Sequence, residues 1–303
     1  MKAVVDRLRL AAPLDVHLLF TGPTGVGKTL LAKSVHRAGP RAAGPFVELN
    51  CAAVPEALFE NELFGAVEGG HSGVPSGGVR GKIAAAEQGT LFLDEVGELG
   101  LGAQAKLLQM LQSGTYYRLG SSEPQRAAAR VIAATNRDLE AEVEAKRFRE
   151  DLFYRLDVMR IRVPPLSERE EDLPVLARAL ASAAAERHGL PVRRLSAGAL
   201  RAVLLVQWPG NVRELANRLE SAVLNAHMRS SRFVEEQDIF QDRPAQDEPV
   251  TSLQEATRRF QRRHVTAVLH ECDWNVSEAA RRLDVARSHV YNLIRLHGLE
   301  RRE

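Results

Sequence analysis

The residues with the clearest chemical meaning form the segment 22–29, GPTGVGKT, which matches the pattern G-x-x-x-x-G-K-[S/T]. An apolar stretch, 16–20, precedes it, and a stretch of helical composition, 30–36, follows. In that setting the glycines let backbone N–H groups surround phosphate oxygens, Lys28 reaches the β and γ phosphates, and Thr29 offers a hydroxyl to Mg²⁺. The predicted phosphate-binding residues are Gly22, Pro23, Thr24, Gly25, Val26, Gly27, Lys28 and Thr29.

A pair of carboxylates, Asp94 and Glu95, ends the next chemically informative stretch, TLFLDE. Asp94 is suited to hold a metal through water, and Glu95 is suited to orient and polarise an attacking water molecule. Acidic residues at the end of a strand are also common helix caps. Behind a phosphate loop, the pair favours a nucleotide hydrolase over a protein that only binds nucleotide, with Thr29 and Asp94 at the Mg²⁺.

Two further features fit phosphoryl transfer. The apolar stretch 131–134 ends at Thr135-Asn136, where an amide could reach a γ phosphate or the attacking water; an ordinary turn asparagine is the alternative. The segment 147–155, RFREDLFYR, contains arginines that could act on a nucleotide from outside the loop, which accelerates phosphoryl transfer by orders of magnitude. A solvated basic helix is the alternative for that segment.

The elements that must position these residues are short apolar stretches separated by helical ones. The stretches are 16–20, 46–49, 90–93 and 131–134, and each is bounded by Gly, Pro, Asn or Asp. Short, continuously apolar strands of this kind are typical of a parallel sheet covered on both faces. The sequence therefore predicts an α/β fold with a P-loop parallel sheet.

Composition narrows the class of protein. A hydrophobic fraction of 45% excludes wholesale disorder, and the absence of an 18-residue apolar run excludes a membrane span. Residues 1–10 lack the uninterrupted apolar core of a secretory signal, so we expect a cytoplasmic protein. Cys51 and Cys272 are far apart with no Cys/His cluster, which predicts two buried thiols rather than a disulfide or a zinc site.

Residue composition and apolar periodicity change along the chain and divide it into four segments. We predict an α/β core over 1–165, a small helical domain over 166–240, a linker over 241–252 and an all-α module over 253–303. Within the helical domain, 211–228 has apolar residues at spacings of three and four, which predicts a helix with one apolar face. The linker, QDRPAQDEPVTS, is polar, contains two prolines and has no apolar periodicity. The last segment contains ten arginines and seven acidic residues, a net charge of +3 within a chain of +2.

The last segment can be interpreted as a helix, a tight turn and a second helix. Ala280 is small where two helices must cross, and Asp284 occupies a turn position that requires a positive φ, which Asp tolerates. The second helix, from Ser288, would enter the DNA major groove. A small helical docking module is the alternative. The predicted DNA-contacting residues are Arg287, Ser288, His289, Asn292 and Arg295.

With these residues in order, the chain resembles the AAA+ ATPases of bacterial enhancer-binding proteins, which activate sigma-54 RNA polymerase. Nearly the whole chain takes part in the resemblance, which implies that 166–240 is a helical lid. The end of the chain, 253–303, resembles a Fis-type helix-turn-helix DNA-binding domain, which implies a dimer with 253–270 as the dimerising helix. The motifs that carry it are GPTGVGKT, FVELNCAAVPEALFENELFG, GTLFLDEVGEL, AKLLQMLQ, ARVIAATNRDL, FREDLFYRL and WPGNVREL.

The resemblance implies a role for each matching residue. Lys28 with Thr29 would be Walker A, Asp94 with Glu95 would be Walker B, and Asn136 would be sensor I. By the same resemblance, Asn50 is the polar switch that restrains the catalytic glutamate and Arg213 is the sensor II arginine. Arg149 and Arg155 are the fingers that reach the nucleotide of a neighbouring subunit. ATP, Mg²⁺ and a homo-oligomeric ring, expected to be a hexamer, are implied with them.

One loop departs from the family pattern. Such proteins carry a GAFTGA loop whose Phe and Thr touch sigma-54, whereas this chain has Gly69, Gly70, His71, Ser72, Gly73 and Val74 there. The loss of a large apolar ring and of a methyl group removes packing surface. The leading interpretation is an ATP-hydrolysing, DNA-binding regulator that remodels sigma-54 RNA polymerase. The alternative is a DNA-binding regulator whose ATPase controls oligomerisation without contact with sigma-54.

Two other points complete the expectations. Met1 falls within the helix that precedes the first strand of such proteins. We therefore expect neither the preceding segment that helps to enclose adenine nor a sensory domain. We therefore expect either a constitutive activator regulated by a partner or a shortened form of a longer regulator. A generic P-loop kinase or GTPase would need a phosphoacceptor or guanine site, which the sequence does not supply.

Overall fold

The computed structural model describes residues 1–69, 76–240, 253–272 and 274–299. The chain divides into two compact units, Met1–Gln241 and Asp242–Glu303, which are described separately below. In the described ranges, no helix has the length and apolar character needed to cross a membrane.

The strands of the first unit form one large sheet and three two-stranded sheets. In chain order they are β1 (Leu18–Thr21), β2 (Phe46–Asn50), β3 (Gly65–Ala66), β4 (Val79–Arg80), β5 (Thr90–Asp94), β6 (Thr115–Tyr117), β7 (Pro124–Arg126), β8 (Arg130–Thr135), β9 (Arg160–Arg162), β10 (Arg194–Leu195) and β11 (Phe233–Val234). The large sheet is parallel, with the order β2-β5-β8-β1-β9. Its first four members confirm the four predicted strands. Strand β9 was not predicted, because it is short and both of its end residues are arginines.

Fourteen α-helices are described in the two units. They are α1 (Lys2–Ala11), α2 (Lys28–Ala38), α3 (Glu56–Phe64), α4 (Lys82–Ala85), α5 (Leu101–Ser113), α6 (Leu139–Glu144), α7 (Glu150–Leu156), α8 (Leu173–Arg187), α9 (Ala197–Leu205), α10 (Asn211–Met228), α11 (Glu236–Ile239), α12 (Leu253–Glu271), α13 (Val276–Arg282) and α14 (Arg287–His297). A 3₁₀ turn, Val96–Glu98, follows β5 directly.

The large sheet is buried on both faces, which explains why its strands are apolar throughout. Successive strand residues belong to different clusters: Leu91 and Leu93 pack with α3, α5 and α7, whereas Phe92 packs with α1 and α2. This alternation follows from the pleat, which points neighbouring side chains to opposite faces. The predicted α/β class is therefore confirmed.

Register brings the ends of four strands to one edge. Thr21 pairs with Thr135, and Asn50 pairs with Asp94. Because parallel strands share a direction, the loops that follow them leave from the same edge of the sheet, which is where such folds place ligands. The phosphate loop, the two carboxylates and Asn136 all follow strands that end there.

The helical part of the first unit surrounds its own apolar cluster, formed chiefly by α8, α9 and α10. Helix α10 begins and ends at the predicted residues, and its Leu215, Leu219 and Val223 are buried on one face. A turn over 208–211 leads into it, and Asn211 there has a φ of +55°. This turn faces the phosphate loop of the sheet domain.

The second unit contains α12, α13 and α14 around a small apolar core. Val290 and Leu293 are buried in that core, and Asp284 lies in the turn between α13 and α14 with a φ of +52°. The predicted positive φ at Asp284 is confirmed. The second helix begins at Arg287, one residue earlier than predicted. The predicted linker, 241–252, lies outside the described residues.

Candidate functional site

The phosphate loop is a tight turn that depends on glycine where other backbone approaches it. Gly25 has a φ of +80°, and a Cβ there would lie 2.4 Å from the carbonyl oxygen of Gly210. Gly22 has a φ of +148°, and a Cβ there would lie 2.3 Å from the carbonyl oxygen of Val163. Any side chain would therefore push the loop away from both the sheet and the lid.

Lys28, the first residue of α2, is folded back on its own loop. Its Nζ donates a 2.8 Å hydrogen bond to the carbonyl oxygen of Gly22 and lies 3.6 Å from Glu95 Oε1. The side chain is only 6% exposed, and burial lowers the pKa of the Lys28 ammonium against the opposing effect of Glu95 and Asp94. A buried cation with a weak carbonyl partner is well placed to exchange that partner for phosphate oxygens.

Glu95 reaches the centre of the site through an unusual backbone conformation. Its φ and ψ are +55° and +50°, a left-handed region that costs energy for a residue with a side chain. Its Oε2 accepts a 2.9 Å bond from the backbone N–H of Asn136, and the side-chain amide of Asn136 donates to Thr24 Oγ1 at 2.9 Å. The structure thus brings Lys28, Glu95, Asn136 and Thr24 together.

Asp94 and Thr29 supply the oxygen atoms expected of a magnesium site. Asp94 ends β5, and Thr29 is the second residue of α2. Burial, and then the neighbouring Glu95, raise the pKa of the Asp94 carboxyl, so two acidic groups share a partly buried edge beside a single lysine. A divalent cation would relieve this repulsion, and carboxylate and hydroxyl oxygens are the ligands Mg²⁺ prefers. The residues present therefore fit the ion.

Asn50 lies beside the two carboxylates but is bonded elsewhere. It pairs with Asp94 in the sheet register, and its Oδ1 accepts a 2.9 Å bond from the backbone N–H of Ala52. The carboxylate of Glu95 is instead engaged by Lys28 and the Asn136 backbone. The expected restraint of Glu95 by Asn50 therefore stays a prediction.

The lid covers the loop, and Arg213 belongs to that cover. An open cavity of about 610 Å³ lies between the loop and α10, lined by Pro23, Thr24, Pro209 and the exposed side chain of Arg213, among others. Its volume lies in the range of small-molecule sites. Arg213 thus lies beside the mouth of the phosphate loop, and its role as the sensor II arginine stays a prediction.

Three bonds from the lid to consecutive loop carbonyls were not foreseen from the sequence. Asn211 Nδ2 donates to Thr24 O at 3.0 Å, the backbone N–H of Arg213 donates to Gly25 O at 3.2 Å, and Arg169 Nη2 donates to Val26 O at 3.0 Å. Asn211 is 4% exposed, and its Oδ1 accepts a bond from the backbone N–H of Leu166. The sequence Pro-Gly-Asn at 209–211 indicates a turn, but no local sequence pattern shows which groups this turn contacts.

We expect the substitution Asn211→Asp to raise the Kd for ATP about tenfold. It keeps the acceptor for Leu166 but removes the donor to Thr24 O, which leaves that carbonyl without its partner in the lid and adds a negative charge beside the phosphates; such losses cost about 1–3 kcal/mol. Calorimetric titration with ATP measures the effect. Asn225→Asp is the control, because Asn225 Nδ2 donates within the lid, to Asp238 O. Equal ATP affinities of the two variants would contradict a role for the Asn211 bond.

The two predicted fingers lie on or next to α7 and contact other groups. Arg149 Nε and Nη2 donate to the Asp151 carboxylate, and Arg155 Nε and Nη2 donate to the carbonyl oxygen of Leu111 at the end of α5. Both side chains are exposed. Among the described contacts, neither arginine reaches the phosphate loop of its own chain. Arg147, the first arginine of the segment 147–155, forms an ion pair with Glu142.

The predicted DNA-contacting side chains share one exposed helix in the second unit. All five lie on α14, whose Val290 and Leu293 face the core instead. The side chains of Arg287, Ser288, His289, Asn292 and Arg295 are all exposed. They are thus available on the outer side of the second helix of a helix-turn-helix.

The altered loop is described only at its ends. Of the predicted sigma-54 loop, Gly69 is described, and Gly70, His71, Ser72, Gly73 and Val74 lie outside the described residues. The strands on either side of it, β3 and β4, pair as an antiparallel hairpin. That hairpin is tied to the segment after β6, because Val67 N–H donates to Leu119 O and Leu119 N–H donates to Gly65 O. Sequence analysis missed this stem, whose strands have only two residues each.

Comparison with known families divides the chain in a similar way. The model described as "Sigma-54 interaction domain" matches residues 1–162, the "AAA+ ATPase lid domain" matches 167–256, and "Bacterial regulatory protein, Fis family" matches 256–294. The first of these covers more than half of the chain. These matches are independent of the geometry given above and concern the same segments.

Individual proteins are similar over almost the full chain. The anaerobic nitric oxide reductase transcription regulator NorR of Salmonella newport is 41% identical over 99% of this chain. The Nif-specific regulatory protein of Azotobacter vinelandii is 42% identical over 93% of it. The chain spans 62% and 54% of the lengths of these two relatives. The crystal structure of NtrX from Brucella abortus in complex with ATP is similar with a TM-score of 0.71 and 30% identity, over 99% of this chain and 68% of that one.

Proposed function

Because this chain belongs to the Sigma-54 interaction domain family of AAA+ proteins, we propose that it is an ATP-hydrolysing, DNA-binding transcription regulator that remodels sigma-54 RNA polymerase. The observation that carries the proposal is the cluster of Lys28, Glu95 and Asn136 at one edge of the sheet, beneath a lid that contacts the phosphate loop. A regulator of this kind works in the cytoplasm, where bacterial DNA and polymerase are.

Each residue of the cluster has a separate role in ATP hydrolysis. The loop N–H groups and Lys28 bind the phosphates of ATP, and Thr29 and Asp94 would hold Mg²⁺, which neutralises phosphate charge when bound. Glu95 accepts a hydrogen bond from the attacking water and draws its proton away from the new bond to phosphorus. Asn136 bonds to the Glu95 carboxylate through its backbone N–H and to the Thr24 hydroxyl through its side-chain amide. It therefore holds the carboxylate in a fixed position relative to the phosphate loop.

Oligomerisation is part of the proposal, because the described contacts bring neither candidate finger to the phosphate loop of its own chain. Arg149 and Arg155 are both exposed, and an arginine that completes phosphoryl transfer can come from a neighbouring molecule. We propose that copies of the chain form a closed ring, expected to be hexameric, in which these arginines reach the next subunit's ATP. A head-to-tail interface that closes on itself gives such a ring.

The second unit would tether the ring to DNA. The outer side chains of α14 present two arginines and an asparagine, the residue types that read guanine and adenine edges in the major groove. The match to the Fis family over 256–294 covers most of this helix and supports the assignment. Upstream sites bound in this way would raise the concentration of the ring at a promoter.

The match to the Sigma-54 interaction domain also bears on the altered loop. It spans residues 1–162, a range that includes positions 69–74, and it supports contact with sigma-54 over an ATPase that only controls oligomerisation. The test is open-complex formation on a sigma-54 promoter with purified holoenzyme and ATP. We expect open complexes that require ATP hydrolysis, at protein concentrations high enough that tethering upstream is not needed.

The matched variant for this test is the double change His71→Phe, Ser72→Thr. It restores the aromatic side chain and the methyl group that the family loop carries at these two positions. We expect it to form open complexes severalfold faster than the natural chain at an unchanged rate of ATP hydrolysis, because only packing on sigma-54 is altered. Potassium permanganate footprinting of the promoter measures the rate. ATP hydrolysis without open complexes from either form would favour the alternative function.

A further inference from the structure

Gln104, in the first turn of α5, is a polar residue in an apolar position. Its side chain is 0% exposed, and its helix neighbours Ala103, Leu107 and Leu108 are buried in the main core of the sheet domain. An apolar residue would satisfy this position by packing alone. A fully buried amide is kept only where its hydrogen bonds are made, since an unpaired one is costly.

The amide of Gln104 makes three bonds, all to backbone. Its Nε2 donates to the carbonyl oxygen of Leu99 at 2.7 Å and to that of Arg147 at 2.9 Å, while its Oε1 accepts from the N–H of Arg149 at 2.8 Å. One orientation of the amide satisfies all three, and the reversed orientation would face two carbonyls with an oxygen. The side chain therefore has a single position.

These backbone groups belong to two segments that matter for the proposed reaction. Leu99 is the residue that follows the 3₁₀ turn Val96–Glu98, so it lies four residues after Glu95, the carboxylate at the ATP site. Residues 95–99 are called the carboxylate segment below. Arg149 is the residue that caps the amino end of α7. One buried side chain thus joins the carboxylate segment of a subunit to the backbone that carries its finger.

Helix α5 fixes the other end of the same region. Arg155 donates to the carbonyl oxygen of Leu111 through Nε at 3.0 Å and through Nη2 at 2.7 Å. Gln104 bonds to the backbone of Arg149 near the start of α5, and Leu111 O accepts from Arg155 near its end, so both fingers are anchored to one helix. Of these two contacts, only that of Gln104 also involves the segment after Glu95.

We propose that Gln104 is a positioning residue that sets the place of Arg149, so that the finger a subunit offers to its neighbour depends on the carboxylate segment of its own ATP site. This inference rests on the proposed function, in which Arg149 acts on the neighbouring subunit. Gln104 itself touches neither nucleotide nor water in this scheme. Its action is on the backbone at residue 149.

The first test compares three single variants of the full chain. Gln104→Met keeps the volume and removes all three bonds, and Gln104→Glu keeps the shape and the acceptor for Arg149 but loses both donors. We expect kcat for ATP hydrolysis to fall about 10- to 100-fold in both, with KM for ATP within about threefold of the natural value, because misplacement of about 1 Å has effects of this size. Gln109→Met, an exposed glutamine on the same helix, should keep the natural kcat.

Mixed oligomers separate positioning of the finger from damage to the subunit's own site. A Glu95→Gln subunit has an inactive site and an intact finger, so it can complete the site of a neighbour whose own finger is misplaced. We expect equimolar mixtures of Gln104→Met with Glu95→Gln to hydrolyse ATP at least about twofold faster than either variant alone, because about a quarter of the interfaces then pair an intact finger with an intact site. The reference mixture, Arg149→Ala with Glu95→Gln, should recover in the same way. Melting of each variant is followed in parallel, and Gln104→Glu replaces Gln104→Met if the latter does not fold.

Each outcome decides the inference. Recovery in both mixtures supports it. Recovery in the reference mixture alone means that Gln104 acts within its own site or only on stability, which overturns the inference and leaves the proposed function intact. No recovery in either mixture removes the finger from the neighbouring site, so the inference fails together with the proposed finger in trans. A natural kcat in both Gln104 variants also overturns the inference.

Discussion

The variant Glu95→Gln is expected to hydrolyse ATP about 10²- to 10⁴-fold more slowly than the natural chain while it still binds ATP. General-base assistance contributes an effect of this size, and an amide keeps the shape of the side chain without its basicity. The amide oxygen of the substituted side chain can still accept the hydrogen bond that the backbone N–H of Asn136 donates to Glu95. Release of inorganic phosphate measures hydrolysis, and calorimetric titration measures binding.

Glu87→Gln is the control for this prediction. Glu87 is an exposed acidic residue that precedes β5, so it lies at the end of the same strand opposite to Glu95. The control variant should hydrolyse ATP at the natural rate. Hydrolysis that survives in Glu95→Gln would remove Glu95 from its proposed role. A loss of ATP binding would instead assign Glu95 mainly to the orientation of Lys28, whose ammonium lies 3.6 Å from it.

Removal of Arg149 should have a comparable effect without any change in the subunit's own site. Arg149→Ala is expected to lower kcat at least about 10³-fold, which is the contribution of an arginine finger to phosphoryl transfer. The folded subunit should be little affected, because the ion pair to Asp151 is exposed to solvent and such pairs are weak. The rate of ATP hydrolysis at saturating ATP measures the effect.

Arg187→Ala is the matched control for Arg149. Both arginines are exposed and both hold a carboxylate at 2.8 Å, Arg187 in the lid with Glu220. Arg187→Ala should keep the natural kcat. The dependence of specific activity on protein concentration adds a second criterion, since a finger supplied by a neighbour requires assembly. Specific activity that does not change on dilution to concentrations at which the oligomer dissociates would contradict a finger in trans.

Much of the fold could be predicted because the informative patterns are local. Each predicted strand is a run of apolar residues, which reflects burial on both faces of a parallel sheet. Helix α10 could be bounded correctly because its buried residues recur every three or four positions. The positive φ of Asp284 could be predicted because a tight turn between two helices restricts its residue types.

The phosphate loop could be predicted from the sequence for the same reason. Its glycines, Lys28 and Thr29 are close together in the chain, so their chemistry is contained in one segment, 22–29. The structure starts α2 at Lys28, within the loop, rather than at the predicted Leu30. This difference is small, and the N-cap residue Gly27 makes no side-chain cap bond, so the first helical N–H groups are available to a phosphate.

Glu95 shows what the local pattern could not give. Its residue type and place after a strand suggested a catalytic carboxylate, but its left-handed backbone and its bond to Asn136 depend on β5 and β8 being neighbours in the sheet. These two residues are 41 positions apart in the chain. Only the order of the strands decides that they meet.

The sequence by itself therefore determined the class of fold, the nucleotide loop and the residue types of the site, since these are set by short-range periodicity and by chemistry that must be contiguous. Tertiary structure alone decided which groups hold those residues in place: the contact of Asn211 with Thr24 O, and the contacts of Gln104 with Leu99 O and with the N–H of Arg149. The physical reason is that a buried amide has no periodic signature. Its partners are backbone groups of any residue type, and topology brings them within hydrogen-bond distance.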